Sequence, residues 1–220
     1  MPNFGLSAYL KLICLSDRRQ QSALRERLQP SEGGYDYHKS LKLAAERLLV
    51  RGLTEAEVLT SLDGVKQAPE RQSAKEGIKV LADWRRGHPG EIVDFATVTA
   101  EGPAGIVRVS FQPTFGIKIR NQLVAVHVWN NKAPDLVDRF VYGALSLFPS
   151  VYSRAAQVPD DVAVLSLRDG AFFRLSEGME YSSLGAAQIA VIERRLQEIA
   201  TGLGLPRAER RPPSSPPPRP

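Results

Sequence analysis

Three histidines, one cysteine and a cluster of arginines are the groups in this 220-residue chain with the clearest chemistry to offer, and their spacing removes most of it. His38, His88 and His127 stand far apart. They lack the i, i+4 spacing by which one helix presents two imidazoles to zinc. Cys14, between Ile13 and Leu15, reads as core, because a reactive thiol needs an accessible, electropositive setting. A sole cysteine also excludes an intramolecular disulfide and a cysteine zinc cage, which favours a reducing compartment. No Gly-x-x-x-x-Gly-Lys phosphate loop and no Gly-x-Ser-x-Gly elbow occurs. Arg18, Arg19, Arg25 and Arg27, with Lys39 further on, are the candidates for contact with a nucleic-acid backbone. Tyr35 and Tyr37, beside His38 and Lys39, could stack on bases. Residues 53–59 resemble the opening of a helix-turn-helix, yet no later helix is basic with base-reading side chains at its start.

The elements that must carry these groups divide the chain near residue 90. Before it, apolar residues recur at helical spacing: Leu6, Tyr9, Leu10 and Ile13, then Leu24 and Leu28, then Tyr37, Leu41, Ala44, Ala45, Leu48 and Leu49. Pro30, Gly33 and Gly34 break the second helix from the third, and Gly52 stops the third. Thr54 and Glu57 have capping-box spacing for a short helix ending near Gly64. Pro69 suits the first turn of a helix through Ala74, Ile78, Leu81 and Trp84. After Gly90 the pattern changes to short β-branched and aromatic runs at 92–98, 106–111, 115–119 and 123–129, the last three alternating in and out. Arg120, Asn121 and Gln122 suit a tight hairpin connection. Pro134 is expected to open a helix that Pro149 stops. Strands at 162–167 and 172–175 flank an Arg168-Asp169-Gly170 turn. A last helix then carries Ile189, Ile192, Leu196, Ile199 and Leu203, expected to pack on the sheet or to serve a partner helix. The fold class is mixed α and β: a helical region (1–90), an α/β core (91–205) with about five or six strands, a crossover helix and a C-terminal helix, and a Pro/Arg-rich tail (206–220) expected to be disordered.

The order strand, strand, strand, helix, strand over about residues 106–167 resembles the core of the restriction-endonuclease-like superfamily with its PD-(D/E)xK motif. The resemblance implies two carboxylates holding a divalent cation beside the scissile phosphate, and a lysine orienting the attacking water. On that pattern Thr114, after Pro113, takes the place of the aspartate, His127 that of the second carboxylate, and Trp129 that of the lysine. A hydroxyl, an imidazole and an indole cannot build an oxygen-rich magnesium site. Glu91, Asp94 and Glu101 lie just upstream and Lys118 on the hairpin, so they are the candidates for displaced metal ligands, although no acidic-x-lysine triplet falls on any expected strand.

The charge balance adds little. Residues 1–90 carry 15 Lys/Arg against 11 Asp/Glu, residues 91–205 carry 10 against 12, and the tail carries 4 against 1, within a net charge of +5. The small excess at both ends reads chiefly as solvated helix faces. No leader pattern and no run of about twenty apolar residues is present, so a cytoplasmic protein without membrane contact is expected. The sequence therefore points to a non-catalytic interaction or accessory protein on a degenerate nuclease-like core, with no cofactor and no metal, holding a protein or nucleic-acid partner. The alternatives are a metal-dependent nuclease with displaced ligands, or a DNA-binding regulator using the basic helices.

Overall fold

The computed structural model of the protein describes residues 2–29 and 38–205. The expected break at Pro30, Gly33 and Gly34, the residues Tyr35 and Tyr37, and the tail 206–220 lie outside the described residues. The chain begins with a strand that periodicity missed, β1 (Asn3–Gly5), which runs directly into α1 (Leu6–Ile13). Three residues are too few to show alternation. The helices α2 (Asp17–Leu28), α3 (Lys39–Leu49), α4 (Glu55–Ser61) and α5 (Ala68–Gly87) follow as the apolar spacing requires. Thr54 caps α4: its hydroxyl accepts from the Glu57 amide at 3.3 Å, and the Glu57 carboxylate accepts from the Thr54 amide at 2.8 Å. The helix thus has two first-turn donors satisfied reciprocally.

The run at 92–98 is not one strand. It splits into β2 (Ile92–Val93) and β3 (Val98–Glu101), which belong to different sheets. Phe95 plunges into the core between them. β3 pairs with β4 (Arg108–Phe111), and β4 pairs in parallel with β1, giving a three-stranded sheet in the order β1-β4-β3. A five-stranded mixed sheet is built from β2, β5 (Phe115–Ile119), β6 (Gln122–Trp129), β7 (Asp161–Ser166) and β8 (Phe172–Arg174), in that spatial order. Only β6 and β7 run parallel; the other neighbours are antiparallel. Arg120 and Asn121 both adopt positive φ, at 48° and 68°, and close β5 onto β6 with two residues. That is the type I′ geometry matching the right-handed twist of paired strands.

Between β6 and β7 lie α6 (Asp138–Leu145) and α7 (Pro149–Tyr152). Pro134 does not open α6, which begins only at Asp138, and Pro149 starts α7 rather than simply ending a helix. Proline is accepted at a first helical turn because the amide it lacks has no partner there.

The helices take both faces of the five-stranded sheet. Leu41, Ala45, Ile78 and Leu81 from α3 and α5 pack on Ile117, Val124, Val126 and Leu165. On the opposite face, Leu6, Tyr9 and Leu10 of α1 share a core with Phe111, Ala125, Trp129, Val141 and Val164. From Val124 onward β6 is therefore buried on both sides, which is why its apolar run lacks the in-out alternation expected of it. Each such aliphatic side chain contributes roughly 1.5–3 kcal/mol by leaving water. Helices from the first ninety residues contribute to both cores, α1 and α2 to one and α3, α4 and α5 to the other. The final helix, α8 (Leu184–Gly202), packs chiefly against α6 and α2 rather than on the sheet. Among the described residues no helix is long and apolar enough to cross a membrane.

Candidate functional site

The parallel pairing of β1 with β4 brings the first turn of α1 over the end of β6. Ser7 is the second residue of α1, and its Oγ lies 2.7 Å from Nε2 of His127. The other ring nitrogen, Nδ1, lies 3.2 Å from the backbone carbonyl of Gln112. A carbonyl only accepts, so Nδ1 carries the proton, Nε2 holds the lone pair, and Ser7 donates to it. Burial pushes the His127 ring down to about 4, with the hydrogen bond to Gln112 opposing and the nearby charges of Lys42 and His38 reinforcing the shift. His127 is only 9 % exposed and stays neutral at ordinary pH.

These groups edge a cavity of about 460 Å³, lined among others by Ser7, Leu41, Lys42, Thr114, His127 and Asn130. The Thr114 hydroxyl accepts from the Val128 amide at 3.1 Å, and its own amide donates to the Val126 carbonyl at 2.7 Å. Asn130 donates through Nδ2 to the carbonyl and hydroxyl of Ser73, at 3.3 and 3.2 Å. Because the Ser73 carbonyl needs a donor, the amide orientation is fixed. The Oδ1 of Asn130 is then left buried without a partner, in a residue 5 % exposed. Buried acceptors without partners are uncommon and cost roughly 1–3 kcal/mol.

The motif positions thus separate. Thr114 and His127 line the cavity, whereas Trp129, 1 % exposed, fills the core beneath. Glu91 and Lys118 face each other across β2 and β5, where the Lys118 amide donates to the Glu91 carbonyl at 2.9 Å. Asp94 lies in the link from β2 to β3, and Glu101 ends β3 beside Arg108 at 3.9 Å. All four of these side chains are exposed. Among the described residues no three His, Cys, Asp or Glu side chains come close enough to hold a metal ion, so Glu91, Asp94 and Glu101 do not converge.

The arginines also divide. Arg18, Arg19 and Arg25 lie on the exposed side of α2, opposite Gln20 and Leu24. Arg27 instead donates to the Asn3 carbonyl at 2.8 Å and sits 5.0 Å over the Phe4 ring, clamping β1. Lys39 is exposed at the start of α3. Of the remaining histidines, His38 also borders the cavity and pairs with Asn131 Oδ1 at 3.0 Å, while His88 is stacked on Trp84 away from it. Burial raises the Cys14 thiol above its ordinary value, so it is a weak nucleophile.

Ser7 was invisible to motif reading. Gly5-Leu6-Ser7-Ala8-Tyr9 begins like a Gly-x-Ser-x-Gly elbow and ends on tyrosine, and the strand before it is too short to be recognised. The chain matches no known protein-family model and no curated protein.

Proposed function

We propose that this chain is an accessory protein on a restriction-endonuclease-like core that holds a partner and does not cut nucleic acid. The observation carrying this reading is what occupies the motif strands. At the open end of the β5–β6 hairpin, where the resemblance calls for carboxylates and a lysine, stand a hydrogen-bonded threonine, a neutral histidine and a core tryptophan. The arrangement of β2, β5 and β6, the crossover through α6 and the parallel return of β7 support the comparison with that core. Calorimetric titration with Mg²⁺ or Mn²⁺ should give no saturable heat, and incubation with DNA or RNA should leave it intact. Metal-dependent cleavage that disappears in Asp94→Asn or Glu101→Gln would establish displaced ligands instead.

One observation favours a nucleic acid as that partner: Arg18, Arg19 and Arg25 remain together on the outer side of α2. Three phosphate contacts would give a slope of about −2.7 for log K against log salt on duplex DNA. Duplex titrations at two salt concentrations measure it. Binding that is weak and indifferent to salt assigns the surface to a protein partner.

A further inference from the structure

The hydroxyl of Ser7 is set up for a role outside the motif positions. Three features meet there. The hydroxyl donates to an imidazole at 2.7 Å, and that imidazole is held in the required tautomer by the Gln112 carbonyl. Nucleophile, base and orienting acceptor in this order are what activates a serine. Second, Ser7 sits where a strand turns into a helix, and Gly5 at the N-cap offers no side chain to the first-turn amides of α1. The amides of Ser7 and Ala8 lie in that first turn, where the helix itself supplies no acceptor, and are suited to a developing oxyanion. Third, Gly5, Leu6, Ser7 and Ala8 all border the 460 Å³ cavity, so a small molecule in it would touch hydroxyl and amides together.

From this geometry we infer that Ser7 and His127 form a metal-independent acyl-transfer dyad. Its substrate class is a carboxylic ester small enough to enter the 460 Å³ cavity. The reaction balances without a cofactor. Ser7 Oγ bonds to the acyl carbon as its proton passes to His127 Nε2. The ester C–O bond then breaks, and the departing alkoxide takes that proton to leave as alcohol. Water attacks the acyl-serine next, giving its proton to Nε2. The acid departs as the C–Oγ bond breaks, and Oγ recovers its proton. This inference goes beyond the partner-holding reading and is tested separately, because neither metal binding nor nucleic-acid cleavage enters it.

The experiment uses the full chain, a fluorophosphonate probe and p-nitrophenyl acetate. In the probe reaction Oγ bonds to phosphorus, fluoride leaves and the proton goes to His127. Mass spectrometry of the digested protein should place one adduct on Ser7. Prior labelling should abolish p-nitrophenol release, as should Ser7→Ala, a truncation of a half-buried side chain that leaves the cores untouched. His127→Gln should slow labelling about 10²–10⁴-fold, the usual contribution of a positioned base. Should that variant fail to fold, the native chain is compared with itself in urea, where the Ser7 adduct should vanish. The assignment falls if the folded chain gains no adduct at Ser7. It falls equally if labelling proceeds at one rate in His127→Gln, or in urea, as in the native protein.

Discussion

Replacing Glu193 by alanine should lower the unfolding free energy by about 3–5 kcal/mol, measured by urea denaturation. That is much of the roughly 5–15 kcal/mol available to a protein of this size. Glu193 is only 2 % exposed on α8, and its carboxylate accepts three backbone amides of the β3–β4 loop. Oε1 takes Ile106 at 2.8 Å and Val107 at 3.1 Å, while Oε2 takes Ala104 at 2.8 Å. Truncation leaves the Ile106 and Val107 donors facing an apolar interior and takes the carboxylate from the more exposed Ala104 amide. Glu193→Gln should cost less, because its carbonyl can still serve Ile106 and Val107, though its NH₂ then opposes the Ala104 amide. Gly102 completes the arrangement, since a Cβ there would collide with the Glu193 carboxylate. Gly102→Ala should therefore destabilise by displacing the same carboxylate. Combined with Glu193→Ala, it should add much less than its separate cost, as shared partners require. Full additivity would show that the loop is held by something else.

Acidification from pH 6.5 to 4 should remove up to about 3 kcal/mol of stability through His127 alone. In the folded protein this imidazole is pushed down to about 4 by burial, with Lys42 and His38 adding to the effect, whereas an unfolded chain holds it near 6.5. Between those values the unfolded state binds the extra proton, so stability rises with pH. The contribution is fully present above pH 6.5 and is lost as pH falls through about 4. Urea midpoints across this range should slope steeply for the native chain and more gently for His127→Gln, which cannot take up the proton. Parallel slopes would mean that the ring is more solvated than its packing against Phe111 and Ser7 requires.

The helices were legible because packing on a sheet imposes a 3.6-residue apolar period, and α1, α3 and α5 keep it. The Thr54–Glu57 cap was legible because its chemistry is local. What depends on distant partners was not. β1 is a strand only because β4 lies alongside, and the 92–101 stretch splits because Phe95 is drawn into a core that no neighbouring residue specifies. The site followed the same division. His127 stood out for the carboxylate it replaces in a resemblance, while the hydroxyl it binds is 120 residues away and was passed over. Thr114 was singled out as the residue in the aspartate's place, whereas Asn130 has ordinary surroundings in sequence and joins it only as part of one cavity wall.

That separation of 120 residues also sets an order of events during synthesis. Ser7 emerges from the ribosome long before the β5–β6 hairpin exists, and β1 has nothing to pair with until β4 has been made. Closing so long a loop adds little free energy, because the entropy grows only with the logarithm of its length, but it comes late. A nascent or prematurely terminated chain that stops short of residue 127 thus displays an ordinary, inert alcohol. Only a chain extended beyond β6 can give that hydroxyl its imidazole partner.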